Sequence, residues 1–116
     1  MNIEMIQDIC RQLPGTTEDV KWGADLCFCV GEKMYLVLGL DATPTPGSFK
    51  ATDADFEELI GRSGMAPAKY LGRYKWVGIE DIALLTKEEW REYAEKSYRL
   101  VAGKLPKKIQ KEIGLL

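Results

Sequence analysis

Two apolar segments separated by only two residues constrain the fold of this chain more than any other feature of its sequence. Residues 26–30 and 33–40 are rich in aliphatic and aromatic side chains, and Gly31-Glu32 between them suits a tight hairpin turn. Alternation gives each strand one strongly apolar face, formed by Leu26, Phe28 and Val30 on the first and by Met34, Leu36, Leu38 and Leu40 on the second. The opposite faces are also largely apolar, with Cys27, Cys29, Tyr35 and Val37. The hairpin is therefore predicted to lie centrally in a sheet, or to be covered by helices on its second face.

Helices are predicted before and after this hairpin. Apolar residues recur every three or four positions from Ile3 to Leu13, with Asn2 as the N-cap. A short helix follows Thr52 or Asp53, either of which can cap it. Further strands are predicted at 20–22, 48–51 and 73–79, and a turn is predicted at 15–19.

The strongest helix signal lies near the carboxyl end of the sequence. Thr86 and Glu89 form a capping box ahead of an apolar stripe that runs to about Gly103. Pro106 suits the first turn of a last short helix. Together these patterns favour a single mixed α and β domain over residues 1–116.

Charge is distributed unevenly along the chain. Residues 1–68 carry five Lys and Arg against eleven Asp and Glu, whereas residues 69–116 carry eleven against seven. The change falls at the segment 69–79, which interleaves three cations with three aromatic rings. Such a pattern suits a surface that follows a phosphate backbone while bases stack. It also suits an edge strand whose lysines prevent aggregation and whose rings pack internally.

Strand alternation separates the rings from the charges in this segment. A regular strand over 73–79 places Tyr74 and Trp76 on one face and Arg73 and Lys75 on the other. Any binding role is then expected to fall mainly on the charges, and a structural role in packing is the simpler expectation for Trp76.

A second lysine-rich segment starts at Lys104. Lysines in the first turn of a helix oppose the helix dipole, but together with free backbone N–H groups they can hold a phosphate or carboxylate. A solvated helix that aids solubility is the alternative. The candidate nucleic-acid or anion-binding residues from both segments are Lys69, Arg73, Lys75, Trp76, Lys104, Lys107, Lys108 and Lys111.

The composition argues against several classes of function. The chain contains no histidine, which removes the commonest general base and the commonest metal ligand. Its three cysteines, Cys10, Cys27 and Cys29, lack the spacing of a redox or zinc motif and are expected to be reduced and buried. A formal net charge of −2 restricts nucleic-acid binding to a local basic surface. We expect no catalytic residues, no metal and no cofactor.

Motifs spread over most of the chain resemble the MmcQ/YjbR family of small bacterial proteins. They are Leu13-Pro14-Gly15, Trp22-Gly23, Val30-Gly31-x-Lys33-Met34 and the segments 70–77, 97–101 and 104–108. Many family members carry a histidine beside the tryptophan, where this chain has Lys75. The resemblance implies an α+β domain with an N-terminal helix, an antiparallel sheet of about five strands and helices packed at the C-terminal end. It implies no established activity, although a double-wing-like sheet has suggested DNA binding.

Two functions follow from these expectations. The first is a non-enzymatic cytoplasmic domain that binds DNA or another nucleic acid through a local basic surface. The second is a protein-interaction or small-anion-binding module with no nucleic-acid role. The sequence has neither a signal peptide nor an apolar run long enough to cross a membrane, so no membrane partner is expected. A monomer is expected rather than an obligate oligomer.

Overall fold

One antiparallel sheet of six strands organises the protein in a computed structural model that describes residues 1–116. The strand order is β1-β2-β3-β4-β6-β5, and the strands are β1 Thr16–Lys21, β2 Asp25–Val30, β3 Lys33–Gly39, β4 Gly47–Lys50, β5 Met65–Pro67 and β6 Trp76–Ile79. The helices are α1 Ile3–Arg11, α2 Asp53–Leu59, α3 Lys87–Ala102 and α4 Lys107–Glu112. The predicted α+β architecture is confirmed, with a sixth strand, β5, that the sequence did not indicate.

Local capping signals determined where the helices begin. The side chain of Asn2 accepts from the Met5 N–H, and that of Thr52 accepts from the Asp55 N–H. The Thr86–Glu89 capping box is present in both directions. Helix α1 ends at Arg11, two residues before the predicted end.

The first strand is longer than its sequence pattern indicates. Strand β1 covers the residues 16–19 that were predicted as a turn, and it pairs with β2 from Thr16↔Val30 to Lys21↔Asp25. It lies at the edge of the sheet and is mostly polar. Its backbone pairing with the apolar strand β2 therefore outweighs its weak local pattern.

The β2–β3 hairpin is confirmed, and its turn explains Gly31. Both turn residues have positive φ, 55° at Gly31 and 66° at Glu32, as a two-residue hairpin turn requires. A Cβ on Gly31 would lie 2.6 Å from Cδ1 of Leu105. Gly31 is thus needed both for its conformation and for the close packing of the residues that precede α4.

A β-bulge changes the predicted faces of β3. Phe28 pairs with Leu36 but Cys29 pairs with Met34, so Tyr35 is an extra residue on the bulged strand. The prediction that Met34 shares the face of Leu36 and Leu38 is therefore wrong. Leu40 lies beyond the end of the strand and is 41% exposed, so it does not belong to that face either.

The hydrophobic core lies between the sheet and the helices. Tyr35, although predicted on the opposite face, is fully buried there, and its hydroxyl group is 2.9 Å from that of Thr16. Phe49 of β4 packs against Trp90 and Tyr93 of α3, with ring centroids 5.6 and 5.7 Å away. The other side of the sheet, which we call the open face, contributes no residue to this core; it carries Cys27, Cys29, Met34, Val37, Ser48, Trp76 and Gly78.

Ser97 joins helix α3 to the sheet at the point where two strands separate. Its hydroxyl group donates to the carbonyl oxygen of Tyr35 on β3 and accepts from the N–H of Lys50 on β4 at 3.0 Å. The last regular pair between β3 and β4 is Leu36↔Phe49, which is adjacent in sequence to Tyr35 and Lys50. The fully buried Ser97 thus satisfies backbone groups that the divergence of the strands would leave unpaired.

Replacing Ser97 with alanine is expected to destabilise the protein. The change leaves the buried Tyr35 carbonyl and Lys50 N–H without their partner, at a cost of about 1–3 kcal/mol in the free energy of unfolding. Urea denaturation followed by circular dichroism measures it. Ser48→Ala, the same chemical change on the open face, is the control and should alter stability by less than about 0.5 kcal/mol. Equal effects of the two substitutions would contradict this role for Ser97.

Candidate functional site

The basic-aromatic segment forms a compact loop before it becomes a strand. Residues Gly72–Tyr74 form a 3₁₀ turn, and Lys75 follows in the left-handed conformation with φ 67°. The Gly72 N–H donates to Ala68 O at 2.8 Å, and the Lys75 N–H donates to Gly72 O at 3.0 Å. The predicted strand over 73–79 is wrong for its first three residues because this turn is stabilised by its own hydrogen bonds.

The loop exposes two tyrosines and buries the tryptophan. Tyr70 is 93% exposed and Tyr74 is 51% exposed, whereas Trp76 is only 6% exposed. Tyr70 also has a positive φ of 65°, a conformation that is rare for a bulky residue and is often found at functional sites. The predicted pairing of Tyr74 with Trp76 on one face does not apply, because the strand starts only at Trp76. The side chains placed for stacking are Tyr70 and Tyr74.

Two cations of this segment lie against aromatic rings. The Arg73 guanidinium is 5.0 Å from the centroid of the Tyr74 ring, and Nζ of Lys75 is 4.9 Å from that of Phe56. Cation–π contact restricts both side chains without neutralising their charge. Arg73 and Lys75 therefore present oriented positive charge.

Five cations surround two adjoining cavities, and we call them the basic cluster: Lys33, Lys50, Arg73, Lys75 and Lys104. The first cavity, of about 360 Å³, is lined by Lys33, Lys50 and Lys104 together with Trp76. The second, of about 480 Å³, is lined by Lys50, Arg73, Lys75 and Lys104. Lys50 and Lys104 thus line both cavities. The fold brings Arg73 and Lys75 of one predicted segment beside Lys104 of the other.

None of the five cations has a carboxylate partner within 4 Å. The ion pairs of the protein use Arg11, Arg62, Lys96 and Arg99 instead. One carboxylate, Asp53, lines the second cavity without forming an ion pair. The cluster therefore carries uncompensated positive charge in an otherwise acidic protein.

Lys50 is the member of the cluster whose pKa is clearly shifted by the fold. It ends strand β4 opposite Trp76. Partial burial lowers the pKa of Lys50, and the nearby charge of Lys104 lowers it further. Sequence reasoning missed Lys50 and Lys33 because neither lies in a run of basic residues, and only the sheet brings them to the cluster.

The remaining predicted site residues lie elsewhere. Lys69 lines two other cavities, of about 460 and 410 Å³, one beside Gly78 and the other beside Asp25. Lys107, Lys108 and Lys111 are exposed on α4 and line neither cavity of the basic cluster. The structure thus joins part of each basic segment and leaves the other lysines outside.

The thiols are poorly suited to nucleophilic chemistry. All three cysteines are free and buried. Burial raises the pKa of Cys10 to about 12 and also raises those of Cys27 and Cys29, so all three are protonated at neutral pH. No three Cys, Asp or Glu side chains meet in a group that could hold a metal ion. None of the four helices has the length and apolarity that a membrane span requires.

An antiparallel sheet with all its helices on one face places the protein in the α+β class. Within that class, the family model described as YjbR matches residues 11–100, and the chain belongs to the YjbR family. This confirms the family indicated by the sequence motifs. The family consists of small proteins that are uncharacterised.

Two solved structures have similar folds. The crystal structure of Deinococcus radiodurans protein DR2400, a DUF419 domain, superposes with a TM-score of 0.87 at 27% sequence identity; the alignment covers 99% of this chain and 89% of that chain. A protein from Pseudomonas syringae superposes with a TM-score of 0.70 at 19% identity, over 87% of this chain and 99% of that one. No curated protein matches the sequence.

Replacing Lys50 with glutamine is expected to stabilise the protein at neutral pH. Because folding lowers the pKa of Lys50 below its ordinary value of 10.5, the folded state holds this proton less tightly and the charged lysine opposes folding. The gain should be about 0.3–1 kcal/mol in the free energy of unfolding at low salt. It should fade as the pH rises through the folded pKa and disappear above 10.5, where the lysine is neutral in both states.

Denaturation at several pH values and at two salt concentrations tests this expectation. Lys69→Gln is the control, since Lys69 is exposed and lines neither cavity of the basic cluster. A Lys50→Gln variant that is no more stable than the wild type at low salt would show that the charge of Lys50 does not destabilise the folded protein.

Proposed function

We propose that this protein binds single-stranded nucleic acid through the basic cluster and the two exposed tyrosines. The observation that carries the proposal is the convergence of five cations without carboxylate partners beside a loop that exposes Tyr70 and Tyr74. The cations hold the phosphates, and the rings stack on the bases. In this proposal the role is binding rather than catalysis, and the protein acts in the cytoplasm, where its thiols stay reduced.

The exposed rings favour a single strand over a duplex. A base can stack on a tyrosine only when it is free of its partner and its neighbours, as in a single strand. The internal hydrogen bonds of the 68–75 loop hold the backbone that carries both tyrosines. Binding therefore costs little conformational entropy in this loop. Arg73 lies against the Tyr74 ring and can place a phosphate contact next to a stacked base.

The local positive charge of the basic cluster is sufficient for this role, although the chain as a whole has a negative net charge. The formal net charge is −2, so nonspecific attraction to a polyanion is weak away from the cluster. Binding through five cations predicts a slope of log affinity against log salt of about −2 to −4, since a single strand releases roughly 0.7 counterion per phosphate neutralised. A steeper slope would require cations outside the cluster.

A small anion is the second candidate ligand. The cations line concave cavities rather than a flat stripe, and concave sites are typical of small ligands. In that case an isolated phosphate group would be bound as well as a phosphate within a polymer. The dependence of affinity on chain length separates the two candidates.

The Arg73→Glu/Lys104→Glu double variant is expected to bind a fluorescein-labelled 15-nucleotide single strand at least about tenfold more weakly than the wild type. Each reversal replaces a phosphate contact by repulsion of about 1 kcal/mol or more. Fluorescence anisotropy at 50, 100 and 200 mM NaCl measures the affinity and its salt slope. Tyr70→Ala should lower the affinity while leaving the salt slope unchanged, because the Tyr70 ring holds no cation, unlike that of Tyr74, and its loss removes stacking alone.

Lys87→Glu is the matched control for charge reversal. Lys87 is exposed at the start of α3, a helix about 24 Å long that ends two residues before Lys104. This variant should bind like the wild type. Equal binding by the wild type and the double variant, or no anisotropy change with any single strand at 50 mM NaCl, would refute the proposal. Affinity that does not rise between a dinucleotide and the 15-nucleotide strand would indicate the small-anion function instead.

A further inference from the structure

We propose that the cavity of about 360 Å³ beside Trp76 binds a small organic acid, with a hydrophobic body inside the cavity and its anionic group on the lysines. This inference goes beyond nucleic-acid binding and does not depend on it. The two sites share Lys50 and Lys104, but the apolar part of this cavity has no use in holding a phosphate chain.

The cavity is a consequence of how the strands diverge. Strands β3 and β4 pair only as far as Leu36↔Phe49, and beyond this pair the Ser97 hydroxyl lies between their backbones. The β-bulge at Tyr35 turns Met34 away from the core face and towards this gap. The walls are thus fixed by buried hydrogen bonds and strand pairing.

Helix α3 and the basic-aromatic loop complete the walls. One turn after Ser97, Leu100 and Val101 line the cavity, and Leu105 follows the end of the helix. From the other side come Trp76 and Leu71, whose carbonyl oxygen accepts from the Trp76 N–H at 3.3 Å. The walls therefore come from four separate parts of the chain, which is typical of a formed pocket rather than a chance surface groove.

The lining has two kinds of residue and no acid. Six of its ten residues are hydrophobic, and Pro106 adds a further apolar surface. The six are Met34, Leu71, Trp76, Leu100, Val101 and Leu105. The other three are all lysines: Lys33, Lys50 and Lys104. Such a lining selects for a ligand that is apolar over most of its surface and negative at one end.

The charges in the cavity call for an anion. Lys50 is partly withdrawn from water, and Lys104 adds a second positive charge nearby. A carboxylate, sulfonate or phosphate monoester between them would relieve this repulsion. Inorganic phosphate leaves the apolar walls unused, and a neutral hydrocarbon leaves the lysines uncompensated, so both should bind more weakly than an amphipathic acid.

The volume limits the size of the hydrophobic body. Small-molecule sites span roughly 300–1,000 Å³, and this cavity lies near the lower limit. A body of one or two aromatic rings is therefore the appropriate probe. Naphthalene-2-carboxylate combines such a body with one negative charge, and naphthalene-2-carboxamide has the same shape without the charge.

The test follows the three indole N–H signals of ¹⁵N-labelled protein by NMR during titration with each probe. Naphthalene-2-carboxylate is expected to shift the Trp76 signal in a saturable manner. The Trp90 signal should stay in place, since Trp90 is fully buried and its Nε1 donates to Ile82 O at 2.8 Å. The Trp22→Phe and Trp76→Phe variants assign the three signals.

The carboxamide and the lysine variants decide the outcome. We expect the carboxamide to bind at least about fivefold more weakly than the carboxylate, and Lys104→Gln to weaken carboxylate binding about fivefold. Lys87→Gln, at the far end of α3, should leave it unchanged. Equal affinity for carboxylate and carboxamide, no effect of Lys104→Gln, or no saturable shift of Trp76 would each overturn the inference. No oligonucleotide is present, so these outcomes are independent of the nucleic-acid experiment.

Discussion

The hydroxyl group of Ser97 is the contact on which the arrangement of the site depends. By bridging the Tyr35 carbonyl and the Lys50 N–H, it fixes α3 against the sheet at the place where β3 and β4 stop pairing. A serine suits this position because one small hydroxyl group can donate and accept at once. The separated strands leave the gap that becomes the cavity, and the same hydrogen bond sets the position of Lys50 at its edge.

The concentration of positive charge is the second constraint, and it sets the basic cluster apart from the rest of the surface. Lysines without a carboxylate partner also occur elsewhere, as on α4, but in the cluster five cations line two adjoining cavities. Partial burial and the nearby charge of Lys104 both lower the pKa of Lys50, so the positive charge of this residue opposes folding. Proteins retain costs of this kind at binding sites, where function rather than stability is optimised.

The features that the sequence predicted are those determined within a few residues. The β2–β3 hairpin depends on a two-residue turn, and the start of α3 depends on the Thr86–Glu89 box. The bulge at Tyr35 has no signal within its own strand, and the carbonyl oxygen of Tyr35 accepts from Ser97 of α3, more than sixty positions away in sequence. The same applies to the site: Arg73, Lys75 and Lys104 were identifiable in basic segments, whereas Lys33 and Lys50 join them only through strand pairing.

The position of Lys50 and Lys104 between the two cavities couples any ligands that bind them. A phosphate chain and an organic acid would each gain much of their electrostatic attraction from the same two charges. Once one ligand has neutralised these lysines, the other gains less on binding, and by linkage the reduction in affinity is the same in both directions. The nucleic-acid surface and the organic-acid cavity would therefore oppose each other without any change of conformation. An organic acid that enters beside Trp76 would act as an antagonist of nucleic-acid binding, through shared charge alone.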